Sequence, residues 1–217
     1  MNEFSERHDP GGAQAADALQ TALERERART REIDHRAKNS LQLVSSLLLL
    51  MSRRSPAAET QQALKAMHQR VTAIAAVHRE ILDGEDPERF DLTHFVRDHL
   101  AALASARGEG AAVRLDLAPV ELAAIKACPA ALIVNELALN ALTHGSPPGR
   151  EPQANVTLRP CGEGFSLTVA DCGPGLPPAA EKAGFGLTIV KLLAQQIAEV
   201  VAFEDAGPGL RAVVTAA

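Results

Sequence analysis

The chain has 217 residues, 46% of them hydrophobic and 23% charged, with a formal net charge of −5. That length and balance can bury a real core and exclude a fibrous or disordered chain. The negative charge and the absence of Trp and Tyr offer nucleic acid neither a basic surface nor stacking platforms, and offer anionic membrane no broad attraction.

Residues 1–12 are polar, end in ProGlyGly and read as a frayed tail. They lack the basic and apolar regions of a signal peptide, so the expectation is a cytoplasmic chain. From Ala13 to Arg54 neither Pro nor Gly occurs, which predicts one helix roughly 60 Å long at about 1.5 Å per residue. Its apolar run LQLVSSLLLLM is too short and too interrupted for a membrane span. SerProAla at 55–57 breaks the helix, and a second one follows to about Asp83. Leu64, Met67, Val71, Ile74 and Ile81 fall at heptad spacing, and Ile33, Ala37, Leu41, Val44, Leu48 and Met51 supply a matching seam. Two antiparallel helices cover only part of each other's apolar surface. The pattern therefore predicts a helical hairpin over 13–84 that forms a four-helix bundle as a homodimer, the alternative being a hairpin packed on its own second domain.

GlyGluAspPro at 84–87 marks a linker, and residues 85–217 read as a separate domain. Asp91 is placed to cap a helix running to about Arg107, with Gly108 as its stop. VRLDLA and a short piece near AAIKA read as strands, and Pro129 opens a helix through His144. NVTLRP, GFSLTVA, a glycine loop, a helix over LTIVKLLAQQI and strands near VVAFE and LRAVVTA complete the chain. The fold class is α+β, with a mixed or antiparallel sheet and helices on one face. Cys128, Cys161 and Cys172, odd in number and far apart, fit reduced thiols better than a disulfide framework or a zinc site.

Four short stretches carry chemistry. In DHRAKNSLQLVSS the apolar stripe places His35 on the opposite, solvent-facing side, with Glu32 and Asn39 one turn either side and Lys38 at the border. An exposed neutral imidazole is a nucleophile near neutral pH. In NELALN and its continuation, Glu136, Asn140 and His144 stand four apart and form one polar ridge beside Ile133, Leu137 and Ala141. Such a ridge suits a hydrated Mg²⁺ and the phosphates it carries, because Mg²⁺ takes few protein oxygens and keeps its waters. DCGPG follows a strand: Gly173 and Gly175 permit close backbone approach, and Asp171 can accept a hydrogen bond from an amino group. In AGFGLTIVK, Gly184 and Gly186 lead into a helix whose first NH groups can cradle phosphate.

Taken singly, each stretch has an ordinary structural explanation. In this order they resemble the H, N, G1 and G2 boxes of sensor histidine kinases, of the HRxxN branch close to the HWE kinases, with a GHKL ATP domain of the gyrase-like Bergerat type. The resemblance runs from about Glu32 to Ala217. It implies that His35 takes the γ-phosphoryl group of ATP, that Asn140 binds Mg²⁺, and that Glu136 holds a water or the metal's outer shell. It further implies that His144 lies near the phosphates, that Asp171 recognises adenine, and that Gly173, Gly175, Gly184, Gly186 and Leu187 shape the nucleotide loops around a short lid. The implied partners are an aspartate on a response regulator receiver domain, a second copy of the chain, and a separate sensor or upstream domain. The sequence departs from the pattern at Arg36, where many such kinases carry an acidic residue, leaving Glu32 or Asp34 to accept the His35 proton. It has no Trp for the HWE signature and no phenylalanine box in the lid. The alternative function is a phosphotransfer or phosphatase module, or an adaptor, with little kinase activity.

Overall fold

A computed structural model describes residues 10–84, 86–108, 110–147, 149–175, 184–197 and 200–216. The chain divides into two units, Met1–Ser40 and Leu41–Ala217. Helix α1 spans Pro10–Arg54, so it starts at Pro10 and not at Ala13; a proline suits the first helical position, where its missing N–H has no partner to lose. Arg53 and Arg54 lie in its last turn, where cations offset the partial negative charge of the helix end. Helix α2 follows at Ala58–Asp83.

Within the second unit, α1 and α2 meet through polar groups: Ser45 Oγ lies 2.8 Å from His68 Nδ1 and 3.3 Å from Thr72 Oγ1. Leu41 and Leu48 of the expected seam are half-buried, whereas Val44 and Met51 stay exposed at 45% and 56%. The face of α2 that carries Ala73 and Val77, both fully buried, packs on helix α4 (Ala124–His144) and belongs to the same apolar core as the sheet. One face of α2 is thus covered by the sheet-bearing part of the chain.

Strands β1 (Arg89–Asp91) and β3 (Glu121–Ala123) form a small antiparallel pair. Helix α3 (Leu92–Arg107) starts where Asp91 accepts a hydrogen bond from the His94 amide at 2.9 Å, and ends at Gly108 with φ 102°. Both ends are those the sequence predicts. Helix α4 is different: it begins five residues before Pro129, directly after β3, the short strand expected near AAIKA, which ends at Ala123. The proline removes a bond to the Ile125 carbonyl, and Ile125 is 87% exposed, so water can reach that end of the helix.

The main sheet has β2 (Ala112–Leu117), β4 (Gln153–Cys161), β5 (Gly164–Asp171), β7 (Leu210–Ala216) and β6 (Val200–Asp205) in that spatial order. β2 and β4 are parallel and the remaining pairs antiparallel, which makes the sheet mixed. Alternate residues are buried, among them Val156 and Leu158, Phe165 and Leu167, and Ala212 and Val214, the period of two that one covered face requires. Helix α5 (Phe185–Ile197) packs beside α4. α4 is the one described helix long and apolar enough to cross a membrane, and most of it is buried inside the protein. Its composition is that of a core helix, closed in by α2, α3, α5 and the sheet.

Candidate functional site

Helix α4 sets up the first wall. Its apolar stripe, Ile133, Leu137 and Ala141, is buried, and the ridge one position away rises from core to solvent: Glu136 is 4% exposed, Asn140 half-buried and His144 exposed. Glu136 is not a free carboxylate. Arg70 of α2 donates Nε to Oε1 at 3.0 Å and Nη2 to Oε2 at 2.7 Å. Asn135 donates Nδ2 to Oε1 at 3.0 Å, and the Oδ1 of the same amide faces His99 Nε2 at 3.0 Å. Because Asn135 Nδ2 is spent on a carboxylate, its Oδ1 is the acceptor and His99 carries its proton on Nε2. Burial holds the His99 imidazole below its ordinary value, and the bond to Asn135 opposes that shift; its ring stacks on Phe95 with centroids 4.9 Å apart.

The end of β5 supplies the second wall. Asp171 is 8% exposed, and its Oδ1 accepts from the Gly173 amide at 2.9 Å and the Leu210 amide at 3.0 Å. Among the described residues Oδ2 has no hydrogen bond, so one oxygen is fixed by the backbone and the other is left to accept from a ligand amino group. The loop between β6 and β7 reaches it closely: a Cβ at Gly209, whose φ is 107°, would stand 2.0 Å from the Asp171 carbonyl oxygen. Only glycine meets both demands there. The Cys172 amide donates to the Gly145 carbonyl at 3.2 Å, tying the loop after β5 to the end of α4.

The third wall is the start of α5. The Thr188 amide bonds back to the Gly184 carbonyl at 3.2 Å, so the amides of Phe185, Gly186 and Leu187 are the first-turn donors with no partner inside the helix. The Leu187 side chain itself lies in the core, 7% exposed. A Cβ at Gly186 would stand 3.0 Å from Glu136 Oε2, which places this turn against the α4 ridge. Phe185 is 68% exposed, and its ring lies under the Arg70 guanidinium, 5.1 Å from carbon to centroid. Gly175 has φ 76°; the lid expected between it and Gly184 lies outside the described residues.

The second unit therefore brings Glu136, Asn140, His144, Asp171, Gly173, Gly184, Gly186 and Leu187 onto adjoining elements: α4, the end of β5 and the start of α5. A model of the histidine kinase-like ATPase domain matches residues 94–214, more than half of the chain, and a histidine kinase model matches residues 32–106. The chain belongs to the histidine kinases.

Among curated proteins, the chain is similar to a blue-light-activated histidine kinase of Rhizobium johnstonii, 29% identical over 169 residues, covering 76% of this chain and 46% of that protein. It is also similar to the sensor histidine kinase PdtaS of Mycobacterium tuberculosis, 32% identical over 175 residues, covering 76% of this chain and 34% of that protein. The chain thus spans between a third and a half of the length of these relatives. Among solved structures, the histidine kinase domain of the Erythrobacter litoralis blue-light activated kinase has the same fold, with a TM-score of 0.58 at 21% identity, over 80% of this chain and 94% of that one.

In this histidine kinase the donor set suits Mg²⁺ and ATP. Asn140 offers a half-buried amide without a hydrogen bond among the described residues, and the Asp171 carboxylate is held open on one oxygen. One amide oxygen with phosphates and waters is the sparse shell Mg²⁺ prefers. In the first unit His35 is exposed on α1, as are Glu32 and Asn39. Glu32 is ion-paired with Arg36, Oε1 to Nη2 at 2.5 Å; the side chain of Asp34 lies outside the described set. Arg70, Asn135, His99 and Gly209 are additions to the residues expected from sequence. Arg70 had a signal: it stands three and seven residues before the buried Ala73 and Val77, a charge on an otherwise small apolar stripe.

Proposed function

We propose that this chain is the transmitter portion of a two-component histidine kinase, which phosphorylates His35 with Mg-ATP and passes the phosphoryl group to a receiver-domain aspartate. The supporting observation is the Asp171 carboxylate, anchored by two backbone amides on Oδ1 and open on Oδ2, next to the amide-bearing ridge of α4. Asp171 accepts the adenine amino group, and Gly173 and Gly175 let the backbone approach the base. The α5 first turn, with Gly184, Gly186 and the Leu187 amide, receives phosphate, and His144 stands at the exposed end of the ridge beside it. Asn140 is the protein ligand of Mg²⁺, and Glu136 holds a water or the metal's outer shell. Bound there, Mg²⁺ would neutralise charge on the phosphates.

In the transfer itself, a neutral His35 ring nitrogen forms the N–P bond as the bond from the γ-phosphorus to the β–γ bridging oxygen breaks and ADP leaves. The other ring nitrogen loses its proton; Glu32 is the carboxylate one turn away, and Asn39 flanks the ring on the other side. Arg36 and Lys38 are the cations next to His35 that an acidic receiver surface would meet. We assign residues 13–84 to the phosphotransfer hairpin, 85–217 to the ATP-binding domain, and the whole to a cytoplasmic homodimer that takes its signal from a sensor or upstream domain. The pairing of Glu32 with Arg36 favours one second reading, a phosphotransfer module or adaptor with little kinase activity.

Incubation with γ-labelled ATP and Mg²⁺ should give an acid-labile label that disappears in His35→Ala, while Asn140→Ala loses Mg²⁺-dependent nucleotide binding. Label that survives in His35→Ala defeats the assignment. A wild-type chain that binds no Mg-ATP supports the adaptor.

A further inference from the structure

We propose that Arg70 is a positioning residue for phosphoryl transfer, holding Glu136 from helix α2 so that a single acceptor position of its carboxylate, on Oε2 beside Gly186, faces the nucleotide. The proposal rests on the role given to Glu136 above. A carboxylate has about four acceptor positions. Oε1 uses two, one for Arg70 Nε at 3.0 Å and one for Asn135 Nδ2 at 3.0 Å. Oε2 uses one, for Arg70 Nη2 at 2.7 Å. One remains, and it belongs to the oxygen that Gly186 approaches at the start of α5.

The fork is what makes this selective. Two parallel N–H groups of one planar guanidinium fix the plane of the carboxylate, which a lysine ammonium cannot do. The fork is itself held: the Arg70 side chain is 13% exposed, the exposed Phe185 ring lies 5.1 Å beneath it, and its helix is anchored by the fully buried Ala73 and Val77. On the other side, the line from His99 through Asn135 to Oε1 stops the carboxylate from turning about its last bond. A buried ion pair adds little net stability once desolvation is counted. Its informative property here is the direction of the one position left unbonded.

Autophosphorylation rate and Mg-ATP affinity should be measured on Arg70→Lys, Arg70→Ala and Glu136→Gln. For a residue that orients another, both Arg70 variants should lose about 10- to 100-fold in kcat with Mg-ATP affinity close to wild type, and lysine should not rescue. A wild-type rate in Arg70→Lys overturns the proposal, since charge alone then suffices. Nucleotide binding lost in step with rate also overturns it, because the pair then only holds the fold. Glu136→Gln at the wild-type rate removes the role of Glu136 itself, and so is distinguished from a failure confined to Arg70.

Discussion

His99 shows how far a buried group can set the conditions under which the site holds together. Its imidazole is pushed down by burial, so the folded chain keeps it neutral as the donor to Asn135. Below the ordinary value of about 6.5 the unfolded chain takes up a proton that the folded chain refuses. Stability is therefore fully present above that value and falls as pH drops toward the lower folded-state value. Urea midpoints measured from pH 7.5 to pH 5 should decline in the wild type and decline less in His99→Gln, which can still donate to Asn135 but does not titrate; equal slopes would show that another group governs the loss. The residues legible in sequence were those whose demands are local. The ridge of Glu136, Asn140 and His144 follows from helical spacing, and the glycines of DCGPG and GFGL from backbone room. Arg70, His99 and the Leu210 amide find their partners 66, 36 and 39 residues away, and no local pattern announces such a pairing.

At the scale of elements, α4 is the instructive case. Its centre was readable from the spacing of Ile133, Leu137 and Ala141, but its start was not, because a proline is ordinarily a beginning and here lies inside the helix. Packing against α2 and α5 offsets a local penalty that sequence rules weigh more heavily. Pro129→Ala restores the amide that can reach the Ile125 carbonyl, and should raise stability by about 1 kcal/mol after the greater freedom of the unfolded chain is allowed for. The check is the urea midpoint at constant slope; a lower midpoint would mean that the half-buried ring is worth more than the hydrogen bond. The three-residue strand β1 was beyond reach for a different reason, since so short a strand shows no periodicity, while its partner β3 lies at the short strand expected near AAIKA.

For the whole molecule, the α+β class and the order of helical region then sheet domain were legible, because apolar periods of 3.6 and 2 persist over long stretches, whereas the parallel β2–β4 pair that makes the sheet mixed and not antiparallel was not. The partner of each hairpin face was not. Leu43, Val44, Leu47, Leu50 and Met51 recur at one-, three- and four-residue spacing and are 45–62% exposed, a contiguous apolar stripe of the kind that a second copy would cover. Sedimentation equilibrium should give twice the chain mass of 22.9 kDa for the wild type and a single chain mass for Leu47→Asp; a wild type that stays at one chain mass at tens of micromolar removes the homodimer. The pairing of Arg70 with Glu136 has its own consequence at this scale. A carboxylate that is 4% exposed and kept buried without its guanidinium costs roughly 3–5 kcal/mol, so while α2 stays seated the charge of Arg70 must stay with it. Lifting the helix would instead return both charges to water together, so its seat is held by the packing of Ala73 and Val77 on α4 more than by the ion pair.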